Sequence, residues 1–150
     1  MSESDPITAV IIVDHGSRRE ESNQMLLEVV RQFHHNTEFD IVVPAHMELA
    51  DPTIERAFEN CVELGATRII VFPYFLSPGR HWNKDIPRLA AEAAANYPGI
   101  EYLVTSPLGA HPIMSHIILD RIETCLAHSV DGEDACDICA DTDKCQLRNS

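Results

Sequence analysis

Ala9-Val10-Ile11-Ile12-Val13-Asp14-His15-Gly16-Ser17 decides the fold, because five consecutive apolar residues run without a break into a polar, glycine-containing loop. An apolar run with no alternation reads as a strand buried on both faces, the habit of a parallel sheet. Downstream, strand and helix patterns alternate with short connections. Ser22 is the expected N-cap of a first helix whose buried stripe is Met25, Leu26, Val29, Val30 and Phe33. A second strand follows over 40–47. Asp51 and Pro52 then supply a cap and a helix-starting proline, Ile54, Ala57, Phe58 and Cys61 a core face, and Gly65 a stop. The pattern continues with a third strand over 68–74, a longer loop over 75–84 and an alanine-rich helix over 85–96. A fourth strand over 100–105 and a helix opened by Pro112 and reaching about residue 128 complete it.

Strands separated by helices of this length need crossover connections, so the expected fold is α/β: a four-stranded parallel sheet covered by helices on both faces. Ligands of such sheets bind outside the carboxyl ends of the strands, where helix N-termini also point free N–H groups. The polar residues of this chain collect there. His15 follows strand one, His46 and Glu48 end strand two, Arg80 and His81 lie in the loop after strand three, and His111 follows strand four. Imidazole and carboxylate together suit a divalent transition metal such as Fe, Co or Ni, whereas a hard ion would be met by oxygens alone. Any one of the eight histidines can instead cap a helix or satisfy a loop, and His34 and His35 read that way. His15 and His81 differ, since both lie in loops rich in Gly and Arg that present side chains to a ligand.

The same rim holds Arg18, Arg19, Arg80, Lys84 and Arg88, five of the 11 basic residues of a chain that also carries 24 acidic ones. A formal charge of -13 works against nucleic acid and anionic membranes. A basic rim on an acidic protein predicts an anionic small molecule, held through arginine–carboxylate pairs. Tyr74, Phe75 and Trp82 flank the long loop and can cover the face of a flat conjugated ligand; for Tyr74 and Phe75 the ordinary alternative is a place in the core. No apolar run approaches the roughly 20 residues that span a bilayer, and the polar first residues carry no targeting pattern, so the expectation is a soluble chain.

At 150 residues the chain has the size of one domain. Residues 1–6 are expected as a disordered N-terminus, 7–129 as the α/β domain and 130–150 as an acidic tail. That tail holds Cys136, Cys139 and Cys145. An odd total of five cysteines, with Cys61 and Cys125 in apolar helical patterns, fits a reducing compartment and metal or redox use of the other three. Zinc, or simple oxidation to a Cys136–Cys139 disulfide, are the readings that spacing alone leaves open.

An ordered series of motifs resembles one family. They are Val13-Asp14-His15-Gly16-Ser17-Arg18, Ala45-His46-Met47-Glu48-Leu49-Ala50-Asp51-Pro52, Pro73-Tyr74-Phe75-Leu76-Ser77-Pro78-Gly79-Arg80-His81, Asp85-Ile86-Pro87 and Pro107-Leu108-Gly109-Ala110-His111-Pro112. Over roughly residues 7–147 the chain is similar to the short sirohydrochlorin chelatases of the CbiX type, within the class II chelatases, and in particular to their plant-type ferrochelatases. The resemblance implies ATP-independent insertion of Fe²⁺ into sirohydrochlorin to give sirohaem. It also implies one chelatase lobe per chain, working as a homodimer, in the plastid stroma or otherwise in the cytoplasm.

In roles implied by the family, His15 and His81 are the metal donors and Glu48 is the proton acceptor. Arg18, Arg80, Trp82, Lys84, His46 and His111 contact the substrate. Plant-type members carry an iron–sulfur cluster on a tail like this one, which assigns Cys136, Cys139 and Cys145 to [2Fe–2S] or [4Fe–4S] ligation. A cluster takes four thiolates, and Cys125 is the available fourth, although Ile117, Ile118, Ile122 and Leu126 place it on an apolar helical stripe. Two other functions fit the same residues: a cobaltochelatase acting on sirohydrochlorin, and a non-catalytic carrier of a tetrapyrrole or iron–sulfur group. Phosphoryl chemistry is disfavoured by the absence of a glycine-rich phosphate loop with its lysine.

Overall fold

The structure, a computed structural model, describes residues 5–77, 79 and 81–131, with side chains described for all of these but 81, 82 and 128–131. Its strands are β1 (Thr8–Asp14), β2 (Ile41–His46), β3 (Arg68–Pro73) and β4 (Glu101–Val104). Its helices are α1 (Glu20–Asn36), α2 (Ile54–Glu63), α3 (Ile86–Ala94) and α4 (Met114–Asp131). All pairings are parallel, in the order β2-β1-β3-β4. The expected four-stranded α/β sheet is present.

Strand β1 is unbroken in its apolar content because it lies between β2 and β3 and is covered from both sides. Ala9, Ile11 and Val13 face Ile54, Ala57, Phe58 and Cys61 of α2 and Ile86, Ala90 and Ala93 of α3. Val10 and Ile12 face Leu26 and Val30 of α1. Each large side chain so enclosed contributes about 1.5–3 kcal/mol relative to exposure. Pro44 sits in β2 without loss of a ladder bond because β2 is an edge strand.

Within the described residues up to Gly109, α1 packs on the Val10–Ile12 face, beside an apolar groove of about 380 Å³ lined by Val10, Ile12, Phe33, Ile70 and Phe72. The described residues divide into two compact units at Gly109 and Ala110. The second contains α4, described by itself as a helix with Ile117, Ile118, Ile122 and Leu126 exposed.

Several local expectations are corrected. Helix α1 begins at Glu20 with Arg19 at its cap position, so Ser22 lies inside the helix. The buried stripe therefore runs through Asn23, Leu26 and Val30, and Met25 is 60% exposed. Helix α2 is capped by Thr53, whose side chain accepts the Arg56 N–H, two residues beyond the Asp51 expected to do so. The Pro52 carbonyl is instead drawn into a bond from the His46 N–H, 2.8 Å long. Gly65 ends α2 as expected, its φ of 96° suiting a residue without Cβ. The loop expected over 75–84 ends early, in a π-helical turn over His81–Asp85 that leads into α3. Helix α4 starts at Met114 rather than at Pro112.

Candidate functional site

Connections reverse direction once in this sheet. The chain leaves β1 for β2 on one side and then crosses back to β3 on the other, so the carboxyl ends of β1 and β3 form the topological switch point where such sheets bind ligands. An open pocket of about 550 Å³ lies there, lined by His15 and Ser17 from the loop after β1, Tyr74, Phe75 and Leu76 from the loop after β3, and Met25 from α1. Met25 and Leu76 are both mostly exposed and give the pocket apolar walls beside the imidazole.

Two imidazole–carboxylate pairs join the ends of β1 and β2. His15 Nε2 lies 2.8 Å from Glu48 Oε1, with the two side chains 38% and 53% exposed. One residue back on β1 and two back on β2, His46 Nδ1 donates to Asp14 Oδ1 at 2.6 Å, and His46 is 1% exposed. The pairs are set by the ladder, in which Asp14 and His46 are register partners. Beyond the strands the ladder continues, with the Met47 N–H bonding the Asp14 carbonyl (2.8 Å) and the Glu48 N–H bonding the His15 carbonyl (3.0 Å).

Gly16 makes this arrangement possible. Its φ is 90°, and a Cβ there would fall 1.8 Å from the Glu48 carbonyl oxygen and 3.1 Å from His46 Cβ, so only glycine brings the two loops together. The Gly16 carbonyl accepts from His15 Nδ1 at 3.0 Å. Since a carbonyl only accepts, the proton is on Nδ1, and Nε2 is the ring atom turned toward Glu48. A histidine that donates its other N–H to a backbone carbonyl is the arrangement usual for metal ligation. The base of the loop is fixed by Asn23, whose Oδ1 accepts the Ser17 N–H (3.0 Å) and whose Nδ2 donates to the Ser17 carbonyl (2.8 Å).

The sequence reading named His15 and Glu48 separately, and the structure brings them into contact. Glu48 meets His15 through its Oε1. His46 was expected among substrate contacts but is buried and held by Asp14, because it ends β2 with its side chain turned inward. Arg18 is exposed and lines a neighbouring depression with Glu20 and Asp51. Lys84 is exposed in the π-helical turn. Arg88, counted with the basic rim, is engaged by Glu92 at 3.1 Å along α3. His111 lies in the second unit, exposed, with Nδ1 accepting the Ile113 N–H.

His81 and Trp82 begin the π-helical turn, and their side chains lie outside the described residues, as do Arg80, Cys136, Cys139 and Cys145. Cys125 is partly exposed on α4. Cys61 is buried in the core, and burial pushes its thiol up to about 12. Among the described residues no three His, Cys, Asp or Glu side chains converge on one point. Asn23 and Asp14 were missed as site residues. Asn23 was legible as a polar residue at the spacing of Leu26 and Val30 on the buried face, and Asp14 as the carboxylate that ends β1 opposite His46.

The CbiX family profile matches residues 9–125. The chain is 55% identical over 141 residues to the chloroplastic sirohydrochlorin ferrochelatase of Arabidopsis thaliana, an alignment covering 94% of this chain and 63% of that one. It is 30% identical over 138 residues to the sirohydrochlorin cobaltochelatase of Methanococcus maripaludis, covering 75% of this chain and 96% of that protein. Among solved structures, the sirohydrochlorin chelatase SirB of Bacillus subtilis subspecies spizizenii in complex with cobalt superposes with a TM-score of 0.72 at 32% identity, over 77% of this chain and 50% of that one. The chain thus spans less than two thirds of the plant relative and half of SirB.

Proposed function

The chain belongs to the CbiX family, and from that premise we propose that it is a sirohydrochlorin ferrochelatase, inserting Fe²⁺ into sirohydrochlorin to form sirohaem, the last step of that synthesis. The observation that carries the reading is the contact of His15 Nε2 with Glu48 Oε1 at the rim of a pocket with apolar walls. A metal donor and a proton acceptor stand side by side where a flat ring can lie over both.

In this reading Fe²⁺ enters as a substrate and takes the place of the proton between His15 Nε2 and Glu48. Imidazole binds such an ion and still exchanges it. Metallation moves Fe²⁺ from the imidazole to four pyrrolic nitrogens, and two ring N–H protons leave. Glu48 accepts the two protons one after the other within reach of the ring centre, a role worth about 10²–10⁴-fold in rate, and its 53% exposure lets it pass each to solvent before it takes the next. His81 is assigned as the second metal donor from the sequence. Tyr74, Phe75, Met25 and Leu76 offer apolar surface to the ring. Arg18, Arg80, Lys84, Trp82 and His111 are assigned to the ring's carboxylate edge and face. His46 acts from beneath instead of by contact.

The tail cysteines Cys136, Cys139 and Cys145, with Cys125 as the fourth ligand, are proposed to hold an iron–sulfur cluster. The part-exposed position of Cys125 on α4 is compatible with ligation, whereas the buried Cys61 is not. Such a cluster supplies one-electron redox chemistry when bound. Iron and acid-labile sulfide per chain, measured in the parent and in a Cys136→Ser/Cys139→Ser variant, test this. A homodimer is proposed as well, as the resemblance to the short single-lobe chelatases implies. The plastid is the proposed location, following the chloroplastic relative.

The cobalt complex of SirB and the archaeal cobaltochelatase favour one second reading, in which the same donors deliver Co²⁺ to the same ring. Anaerobic assays with Fe²⁺ and Co²⁺ at equal concentration separate the two, and faster metallation by Fe²⁺ is expected. Glu48→Gln separates either enzyme from a carrier: an enzyme loses turnover and keeps sirohydrochlorin binding, while a carrier has no turnover in the parent and keeps binding in the variant.

A further inference from the structure

We infer that Asp14 and His46 form a positioning pair, its imidazole buried and its carboxylate partly exposed, that holds His15 and Glu48 in their working geometry; the inference rests on the chelatase reading for the reaction it serves. His46 is 1% exposed, and its Nδ1–H reaches Asp14 Oδ1 at 2.6 Å. Stability alone does not account for the pair. Apolar side chains of similar volume would fill the same space at no loss of stability, and an imidazole 1% exposed is costly to bury unless it is bonded.

Its place in the fold supplies the reason. Gly16 packs directly over His46, at the approach where a Cβ would lie 3.1 Å from His46 Cβ, and against the Glu48 carbonyl. The Asp14 and His15 carbonyls accept the Met47 and Glu48 N–H groups, so the pair closes, through side chains, a ladder whose main chain continues to His15 and Glu48. The Gly16 carbonyl, seated by this packing, accepts from His15 Nδ1 and thereby turns Nε2 toward Glu48. The contacts form a series running from Asp14–His46 through Gly16 to the His15 ring. The apolar side chains of Tyr74, Phe75 and Met25 that wall the pocket come from the loop after β3 and from α1, outside this series.

Loss of the pair therefore changes metal handling and turnover while sparing the binding of the ring. The test uses Asp14→Ala and the isosteric Asp14→Asn in the full chain, with His15→Ala as the reference. Four readouts are taken below the melting temperature: Co²⁺ affinity and visible spectrum of the protein alone, kcat, and KM for sirohydrochlorin. Asp14→Ala is expected to weaken Co²⁺ binding and lower kcat by about 10–100-fold each, with KM for sirohydrochlorin unchanged within about twofold. Asp14→Asn, which keeps an oxygen acceptor for His46, is expected to recover part of both losses. If Asp14→Ala does not fold, Asp14→Asn decides on the same readouts. Variants that melt earlier yet bind Co²⁺ and turn over like the parent would overturn the inference, leaving a merely structural pair. A parent that binds Co²⁺ but does not metallate sirohydrochlorin would contradict the chelatase reading alone, since the Co²⁺ measurements still decide the positioning role.

Discussion

The Asp14–His46 and His15–Glu48 pairs are made of the same two side-chain types, join the same two strand ends and have nearly the same separation, 2.6 and 2.8 Å. They differ in burial. The first has its imidazole shut into the core and only part of its carboxylate exposed, so the imidazole is committed to its partner. The second opens onto a pocket, so its nitrogen and oxygen are within reach of a ligand, and the proposed metal exchange rests on that access. Solvent access, not residue type, separates anchor from chemistry here.

The contrast breaks first at the exposed pair. His15→Ala or Glu48→Gln is expected to lower turnover by about 10²–10⁴-fold, read as the initial rate of sirohaem formation, while the melting temperature stays near that of the parent. Gly16→Ala strikes both pairs at once. With φ at 90° and a clash at 1.8 Å with the Glu48 carbonyl, it is expected to cost about 1–3 kcal/mol in urea unfolding and to reduce turnover as well. Asp14→Ala acts on the buried pair, where an imidazole left without its partner costs about 1–3 kcal/mol, measured by the same unfolding curve. The smallest effect sharpens the comparison from the other side: Glu48→Gln, at a half-exposed position, should change unfolding free energy by no more than about 0.5 kcal/mol. Stability and activity thus sort oppositely across two pairs of like composition.

The core makes a control for the cysteines. Cys61, fully buried with its thiol pushed up to about 12, is expected to resist iodoacetamide at pH 8 in the native chain and to react only after unfolding. Mass spectrometry of the Cys61 peptide checks this.

The sheet was legible in the sequence because its central strand carries an unbroken apolar run and its helices carry periodic stripes, both of which report burial directly. Helix starts were less so. Ser22 and Asp51 have the right side chains for caps, yet Arg19 and Thr53 hold the cap positions, because the loops leading to α1 and α2 are shaped by tertiary bonds of Asn23 to Ser17 and of Pro52 to His46. Met25 followed the helical spacing but faces the pocket, since the helix phase is set by Asn23, Leu26 and Val30. In the site, His15 and Glu48 stood out as chemistry at strand ends. That they touch each other, and that His46 lies beneath them paired to Asp14, depends on strand register between residues about 30 apart, which neither spacing nor periodicity records.

The central claim is that His15 and Glu48 together move an iron ion into a tetrapyrrole. The most direct measurement is the initial rate of sirohaem formation from sirohydrochlorin and Fe²⁺ under anaerobic conditions, followed in the visible spectrum for the parent, His15→Ala and Glu48→Gln against a protein-free control. The account predicts a parent rate far above the control, with both variants falling most of the way back to it. A parent no faster than the control, or variants that match the parent, would contradict it.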